Sequence, residues 1–462
     1  MASSRRRTRW LQASPNAGVE SPRWYAQSMP ISNLKSMHSF FSGAWTTFLL
    51  VGVAAFVFHK GIVPAMSGID ADFPGYFTAA RIVIDGQDTQ RLYDDDWFRE
   101  QIRRYGLESA ENPGKFAPFP PPTALLLVPL ARCEPLTALR IVTAVSVLCV
   151  FCSIFLLARI LAWSPVDSAL FILSSCLAII GGLRCGQPYI LISMFCILGY
   201  YLYLERRPWL AGICLGLFVP IKYFPVIILA YFAFRKEWKV VMGGAVAIAG
   251  VGLVSIAVLG WKVHEIFILS VFGNHLTGRL SLQDHTVPFT AVYQSFDTLF
   301  ARLFVFDPVR NPQPLLAAPL LRTLSLISVK GSILLAAAAT LVKLARGDTA
   351  GAAAPSIGIL GIVLFLIAPA TATYTCALLW LPIALLINYF LNRGARIPAY
   401  FILGTYALIG FIPYNYAYPF EGHGGLSLLA YPRLFLLLAM FIGCVCFEFR
   451  IQDAVPPNSV RD

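Results

Sequence analysis

Charged residues are scarce in this chain. Of its 462 residues only 13% are Asp, Glu, Lys or Arg, while 57% are hydrophobic. A soluble protein of this length has too little interior to hide so much apolar surface, whereas a bilayer accepts it, so a string of soluble domains is excluded. Also missing is a glycine-rich strand-to-helix turn that would cradle a nucleotide diphosphate, and with it any soluble α/β half. There is no disulfide framework. Eight of the ten cysteines (Cys149, Cys152, Cys176, Cys196, Cys214, Cys376, Cys444 and Cys446) lie inside apolar runs, where a thiol behaves as a small hydrophobe. Cys149-Val-Phe-Cys152 has C-x-x-C spacing but no ligand partner or thioredoxin-like strand pattern around it. No repeat of fixed period is present. The first apolar run, Phe40 to Phe58, is not followed by a small-residue cleavage site, so it reads as an anchor and not as a removed signal peptide.

What is present is a succession of apolar runs separated by short basic turns. After Phe40–Phe58 the runs fall at roughly 135–160, 166–183, 187–204, 208–221, 222–234, 240–260, 318–345, 353–372, 374–391, 396–413 and 426–448. The basic turns are Glu205-Arg206-Arg207, Arg235-Lys236-Glu237-Trp238-Lys239, Lys343 with Arg346, and Arg393 with Arg396. The net charge of +12 thus resides in clusters beside apolar runs, the mark of cytoplasmic loops and not of a nucleic-acid-binding face. The expected fold is an all-α polytopic membrane protein. It has a basic, disordered cytoplasmic tail over 1–38, a membrane domain over 39–450 and a second cytoplasmic tail over 451–462. That orientation places the loops 60–118 and 261–317 outside the cytoplasm, along with the turns at Arg184 and Lys222. Residues 119–131, with Phe119-Pro-Pro-Pro122, are too short and too rich in proline for a straight span and read as re-entrant or as half of a broken one. The two runs flanking Lys222 are also short, and read as a shallow hairpin whose tip lines a cavity.

The 60–118 loop carries ten acidic and seven basic residues. At its head stands Gly68-Ile-Asp-Ala-Asp-Phe-Pro-Gly-Tyr-Phe-Thr-Ala-Ala-Arg81. Phe73 to Ile84 reads as a short helix with Pro74 in its first turn and Asp85-Gly86 closing it. Phe73, Tyr76, Phe77 and Ala80 form an apolar stripe suited to rest on the membrane. Asp70 and Asp72 are placed for a base at the bilayer surface, although Asp72 equally suits an N-cap. A second amphipathic helix follows from Trp97 to Tyr105. Asp94-Asp95-Asp96 ahead of it fits capping and solvation better than a metal site, and neither a metal nor a cofactor is expected. Lys222 stands in Phe218-Val-Pro-Ile-Lys-Tyr-Phe-Pro225, where a lysine is costly unless it meets an anion or water. Snorkelling to the interface is the bland alternative. Arg184 precedes the Gly186-Gln187-Pro188-Tyr189 turn and is suited to hold a phosphate. Lys115, Arg279, His285, His423 and Arg433 are weaker candidates on the same face.

The order Asp72-Phe-x-x-Tyr76-x-x-Ala-Ala80, Gly86, Leu92-Tyr93-Asp94, Phe119-Pro-Pro-Pro122, Pro129-Leu-Ala131, Gly186-Gln187, Ala211-Gly212 and Lys222-x-x-Pro225 resembles glycosyltransferase family 87. These are the polyprenyl-phosphate-mannose-dependent α-(1→2)-mannosyltransferase-like membrane proteins. The resemblance is good over about 68–240 and departs at Tyr189, where asparagine is common, and in Ala368–Thr375, which lacks histidines. It implies a GT-C-type helical bundle of about 12 spans whose extracytoplasmic first loop carries the catalytic carboxylate. It also implies inverting transfer of one sugar, mannose favoured, from a polyprenyl-phosphate donor to a hydroxyl of a lipid-linked or envelope glycan acceptor, in the cell (inner) membrane. On this reading Asp72, with Asp70 as alternative, is the base, and Lys222, Arg184, Gln187 and Tyr76 face the donor phosphate or sugar. The alternative is a secondary transporter or flippase, which broken spans and intramembrane cations also suit.

Overall fold

A computed structural model of the chain describes residues 44–69, 72–107, 114–273, 289–346 and 353–453. Among these residues there is no strand, and Asp307 and Asn311 form an isolated antiparallel bridge. The apolar runs are helices, as their uninterrupted hydrophobicity requires once no water is there to satisfy the backbone. Five helices are long and apolar enough to cross a bilayer: Trp45–Ser67, Pro135–Leu161, Trp238–Leu259, Pro319–Ala345 and Thr373–Asn392. Two bent pairs raise the number to seven if each is one span. Pro165–Leu173 meets Cys176–Arg184 at 68°, and Gly424–Ala430 meets Pro432–Glu448 at 67°. Tyr189–Leu204, Ala353–Ile367 and Arg396–Phe411 are apolar but shorter. Five to seven candidate spans are fewer than twelve, because several runs that are continuous in hydropathy are interrupted in backbone.

The interruptions carry the polar chemistry. Pro208–Gly216 and Val226–Phe234 are short helices joined by the turns around Lys222, the hairpin expected from the sequence. Pro208–Gly216 is pressed onto Trp238–Leu259 backbone against backbone, while Val226–Phe234 meets it through the Leu229 side chain at Gly244. A Cβ added to Gly212 would collide with the Val240 carbonyl, and one on Gly216 with the Gly244 backbone. Glycine at both places is what lets the two backbones approach this closely. Residues 119–131 contain two short 3₁₀ turns, Pro121–Leu125 and Val128–Leu130, in place of a helix.

The first loop folds as its capping signals predict. Asp94 caps Asp95–Arg104 by accepting the Trp97 N–H at 3.1 Å. The apolar stripe of Phe73–Ile84, expected to rest on the membrane, is instead inside the protein. Phe73, Tyr76, Phe77 and Ala80 are buried together with Phe98, Ile102, Phe116 and Leu139. An amphipathic pattern shows that a face is covered but not by what, and here the second amphipathic helix and the 116–139 segment cover it.

Opposite this cluster, residues 291–302 are stitched to two later segments. Gln294 N–H donates to the Thr371 carbonyl at 3.0 Å, and the Thr371 hydroxyl donates to the Gln294 carbonyl at 2.7 Å. The Ser295 hydroxyl donates to the Pro369 carbonyl at 2.7 Å. Arg302 pairs with Glu421 at 3.0 Å, both largely out of solvent, and Glu421 also accepts the Ala291 N–H at 2.8 Å. The bonds of Gln294 and Ser295 tie down Pro369 and Thr371, and the buried pair ties Arg302 to Glu421, where removing one partner would leave an uncompensated charge.

Candidate active site

Asp72 is the N-cap of Phe73–Ile84, yet its side chain makes no cap hydrogen bond. The reason is local. A capping carboxylate accepts from the second or third helical N–H. The second residue is Pro74, which has none, and the third, Gly75, already donates to the Asp72 carbonyl at 3.1 Å. The carboxylate is therefore released from the helix end and turns inward. It accepts from Gln187 Nε2 at 2.5 Å, a bond that spans 115 residues of sequence. Gln187 Oε1 in turn accepts from the Tyr76 hydroxyl at 2.7 Å.

Gln187 is held for this role by the turn that precedes it. Cys176–Arg184 ends at Gly186, whose φ of +60° is open to glycine and strained for other residues. A Cβ there would also strike the Phe73 ring. The Gln187 N–H donates back to the Gly182 carbonyl at 2.9 Å, fixing its backbone. Burial holds the Tyr76 phenol far above its ordinary range, and the Asp72 carboxylate adds to the effect. Tyr76 is consequently a neutral donor throughout the physiological range.

Lys222 closes the group. Its Nζ lies 4.3 Å from the Phe119 ring centroid, 5.0 Å from Tyr189 and 5.8 Å from Tyr76. Tyr76 and Phe119 are stacked at 4.6 Å, and Tyr189 is stacked on Tyr374 at 5.5 Å. Contacts thus run from Asp72 through Gln187 to Tyr76, and from Tyr76 to Phe119, Lys222, Tyr189 and Tyr374. A lysine at membrane depth costs about 2.5–3.5 kcal/mol. A desolvated cation–π contact offsets about 2 kcal/mol of that. The rings thus make the charge tolerable but offer its three N–H groups no acceptor, and among the described residues none takes a hydrogen bond from Nζ. Asp72 and Lys222 are both only partly buried, so each is open to a ligand.

The remaining candidates are distributed unevenly. Arg184 is exposed at the end of its helix, three residues before Gln187. Arg433 is buried and donates through Nη1 to the Thr373 hydroxyl, next to Tyr374, while its Nε has no partner among the described residues. His423 is exposed, and Lys115 is partly buried with its carbonyl against Gly75. Asp70, Arg279 and His285 lie outside the described residues. Sequence reasoning missed Phe119, which lies against Tyr76 and Lys222, and Tyr374, which stacks on Tyr189. An aromatic residue in an apolar run carries no local signal of what it faces. Tyr189, a departure from the family pattern, is one of the rings around Lys222.

The model of glycosyltransferase family 87 matches residues 116–369, more than half of the chain. The chain belongs to glycosyltransferase family 87. No curated protein and no solved structure matches it. The family 87 region contains Phe119, Gln187, Tyr189 and Lys222 but begins after Asp72 and Tyr76 and ends before Tyr374. Asp72 is nevertheless bonded to that region directly, through Gln187. This family 87 protein is accordingly a glycosyltransferase built on multiple membrane-embedded helices.

Proposed function

We propose that the protein is an inverting glycosyltransferase that moves a sugar, mannose favoured, from a polyprenyl phosphate to a hydroxyl of a lipid-linked or envelope glycan. It does so in a GT-C-type bundle of about twelve spans, on the outer face of the cell (inner) membrane. The observation that carries this reading is the carboxylate of Asp72, linked through Gln187 to Tyr76, and the ammonium of Lys222, which lies against the rings of Tyr76, Phe119 and Tyr189 and has no acceptor among the described residues. As the acceptor oxygen attacks the anomeric carbon, its proton passes to Asp72. The bond from that carbon to the phosphate oxygen breaks, and the polyprenyl phosphate leaves with the electron pair. Lys222 stabilises the charge that collects on the phosphate. Arg184, three residues before Gln187, is the second cation proposed to face the donor phosphate, and Arg433 is a weaker candidate. The apolar helices around the hairpin suit a prenyl chain, and membrane lipids are the natural surroundings of both substrates. The transporter or flippase alternative has no comparable support, since family 87 is defined by glycosyl transfer.

The donor is tested with purified protein in nanodiscs, offered synthetic polyprenyl-phosphate sugars or nucleotide sugars separately. Turnover is expected only with the lipid donors. Turnover with a nucleotide sugar, free of contaminating lipid donor, would sink the proposal.

Sidedness is tested independently at Asp96, whose side chain is 79% exposed in the first loop. In intact cells Asp96→Cys, in a background lacking Cys133, should react with a membrane-impermeant thiol reagent above the level of the parent. Reaction only after permeabilisation would put the loop, and Asp72 with it, on the cytoplasmic face.

A further inference from the structure

We propose that Gln187 is a positioning residue for Asp72, not a donor-binding residue, and that Tyr76 acts on Asp72 only through Gln187. This inference rests on the assignment of Asp72 as the base.

The direction of each hydrogen bond is settled by chemistry. An ionised carboxylate only accepts. Gln187 must therefore turn its NH₂ toward Asp72, and its carbonyl oxygen then faces Tyr76. An oxygen there only accepts, so the Tyr76 hydroxyl must donate. The result is a one-way chain, Tyr76 O–H to Gln187 Oε1 at 2.7 Å, and Gln187 N–H to Asp72 Oδ2 at 2.5 Å. If the Tyr76 hydroxyl is lost, the carboxylate alone orients the amide, and the Gln187 carbonyl oxygen loses the donor that holds it in place. Tyr76 itself is fully buried and stacked on Phe119, so it is a fixed reference point. Gln187 is 1% exposed, with its backbone pinned by the Gly186 turn.

The Gln187 bond is the one hydrogen bond that the Asp72 side chain makes among the described residues. Because Pro74 withholds a capping donor, the carboxylate has no helix-end alternative to hold it, and Gln187 alone decides where it points. With Oδ2 occupied, Oδ1 is the oxygen left for the acceptor's proton. Both polar ends of the Gln187 amide are committed to the protein, which is why the donor is not its natural partner.

The test is the pH dependence of kcat and kcat/KM for Gln187→Glu, Tyr76→Phe, Gln187→Ala and the Gln187→Ala/Tyr76→Phe double variant, with Asp72→Asn alongside and thermal unfolding recorded for each. In Gln187→Glu two carboxyl groups share the 2.5 Å contact and cannot both ionise easily. The acid limb of the profile should therefore move up by on the order of one to three pH units, with activity recovering at high pH and the donor KM little changed. Tyr76→Phe keeps the stacked ring and should fold. It should lower kcat about threefold to tenfold, the equivalent of one neutral hydrogen bond. In the Gln187→Ala background the same change should cost nothing further.

An unmoved acid limb with a raised donor KM would assign Gln187 to the donor and overturn the inference while leaving Asp72 as base. Additive losses in the double variant would overturn the route through Gln187. Should Gln187→Glu fail to fold, Tyr76→Phe and the double-variant comparison still decide. Activity in Asp72→Asn would instead remove the base assignment itself, whatever the Gln187 variants show.

Discussion

Replacing Asp72 by asparagine is expected to reduce transfer by about 10²- to 10⁴-fold while leaving the unfolding temperature unchanged. The substitution is close to isosteric, and asparagine keeps an oxygen that can accept the Gln187 N–H now bonded at 2.5 Å. Nothing is lost at the helix end either, because the wild-type carboxylate makes no cap bond there. What disappears is the ability to take a proton. Structural and chemical roles, which coincide at most capping aspartates, are separated here by Pro74. The measurement is single-turnover transfer from a synthetic lipid donor, with expression and thermal unfolding followed in parallel. Full activity in Asp72→Asn with loss in Asp70→Asn would move the base two residues upstream.

Lys222→Ala should weaken use of the lipid donor by about 10- to 150-fold, the value of a hydrogen bond to a charged group. Protein stability should hold or rise slightly, since the change removes a charge that lacks an acceptor and leaves the rings of Phe119, Tyr189 and Tyr76 in place. A residue retained at a cost to stability and needed for turnover is the signature of a ligand-binding charge. Lys222→Arg should keep part of the activity, because the charge survives while the broader guanidinium must fit among three rings. Measuring kcat and KM against donor concentration checks both variants. A Lys222→Ala enzyme with wild-type donor KM and kcat would remove Lys222 from the site.

The sequence carried the class of fold because apolar runs and basic turns are one-dimensional signals. The caps of the first loop were legible for the same reason, and Asp94 behaves as its spacing predicts. The count of full spans was less legible. Hydropathy averages over a window and does not register the 68° bend between Leu173 and Cys176. Asp72, Gln187, Tyr76 and Lys222 stood out one by one as polar residues at breaks. That three of them form a hydrogen-bonded chain was not readable, since the bonds cross more than a hundred residues. Pro74 was the one local hint. A proline in the second helical position beside an aspartate cap takes away the partner that would otherwise hold the aspartate.

The 115-residue separation between Asp72 and Gln187 also sets an order in time. At about 5–20 residues per second, roughly 6–23 s pass between synthesis of the carboxylate and synthesis of its amide partner. Lys222 follows, then Tyr374, and the contact of Arg433 with Thr373 is among the last to become possible. The helix bearing Asp72 must therefore be held in waiting while later helices enter the membrane. A chain interrupted before Gln187 carries a carboxylate without its amide partner, and one interrupted before Lys222 lacks the ammonium proposed to meet a phosphate. The proposed base, its amide partner and the ammonium are together on the chain only once synthesis has passed residue 222, so shorter copies lack the proposed machinery.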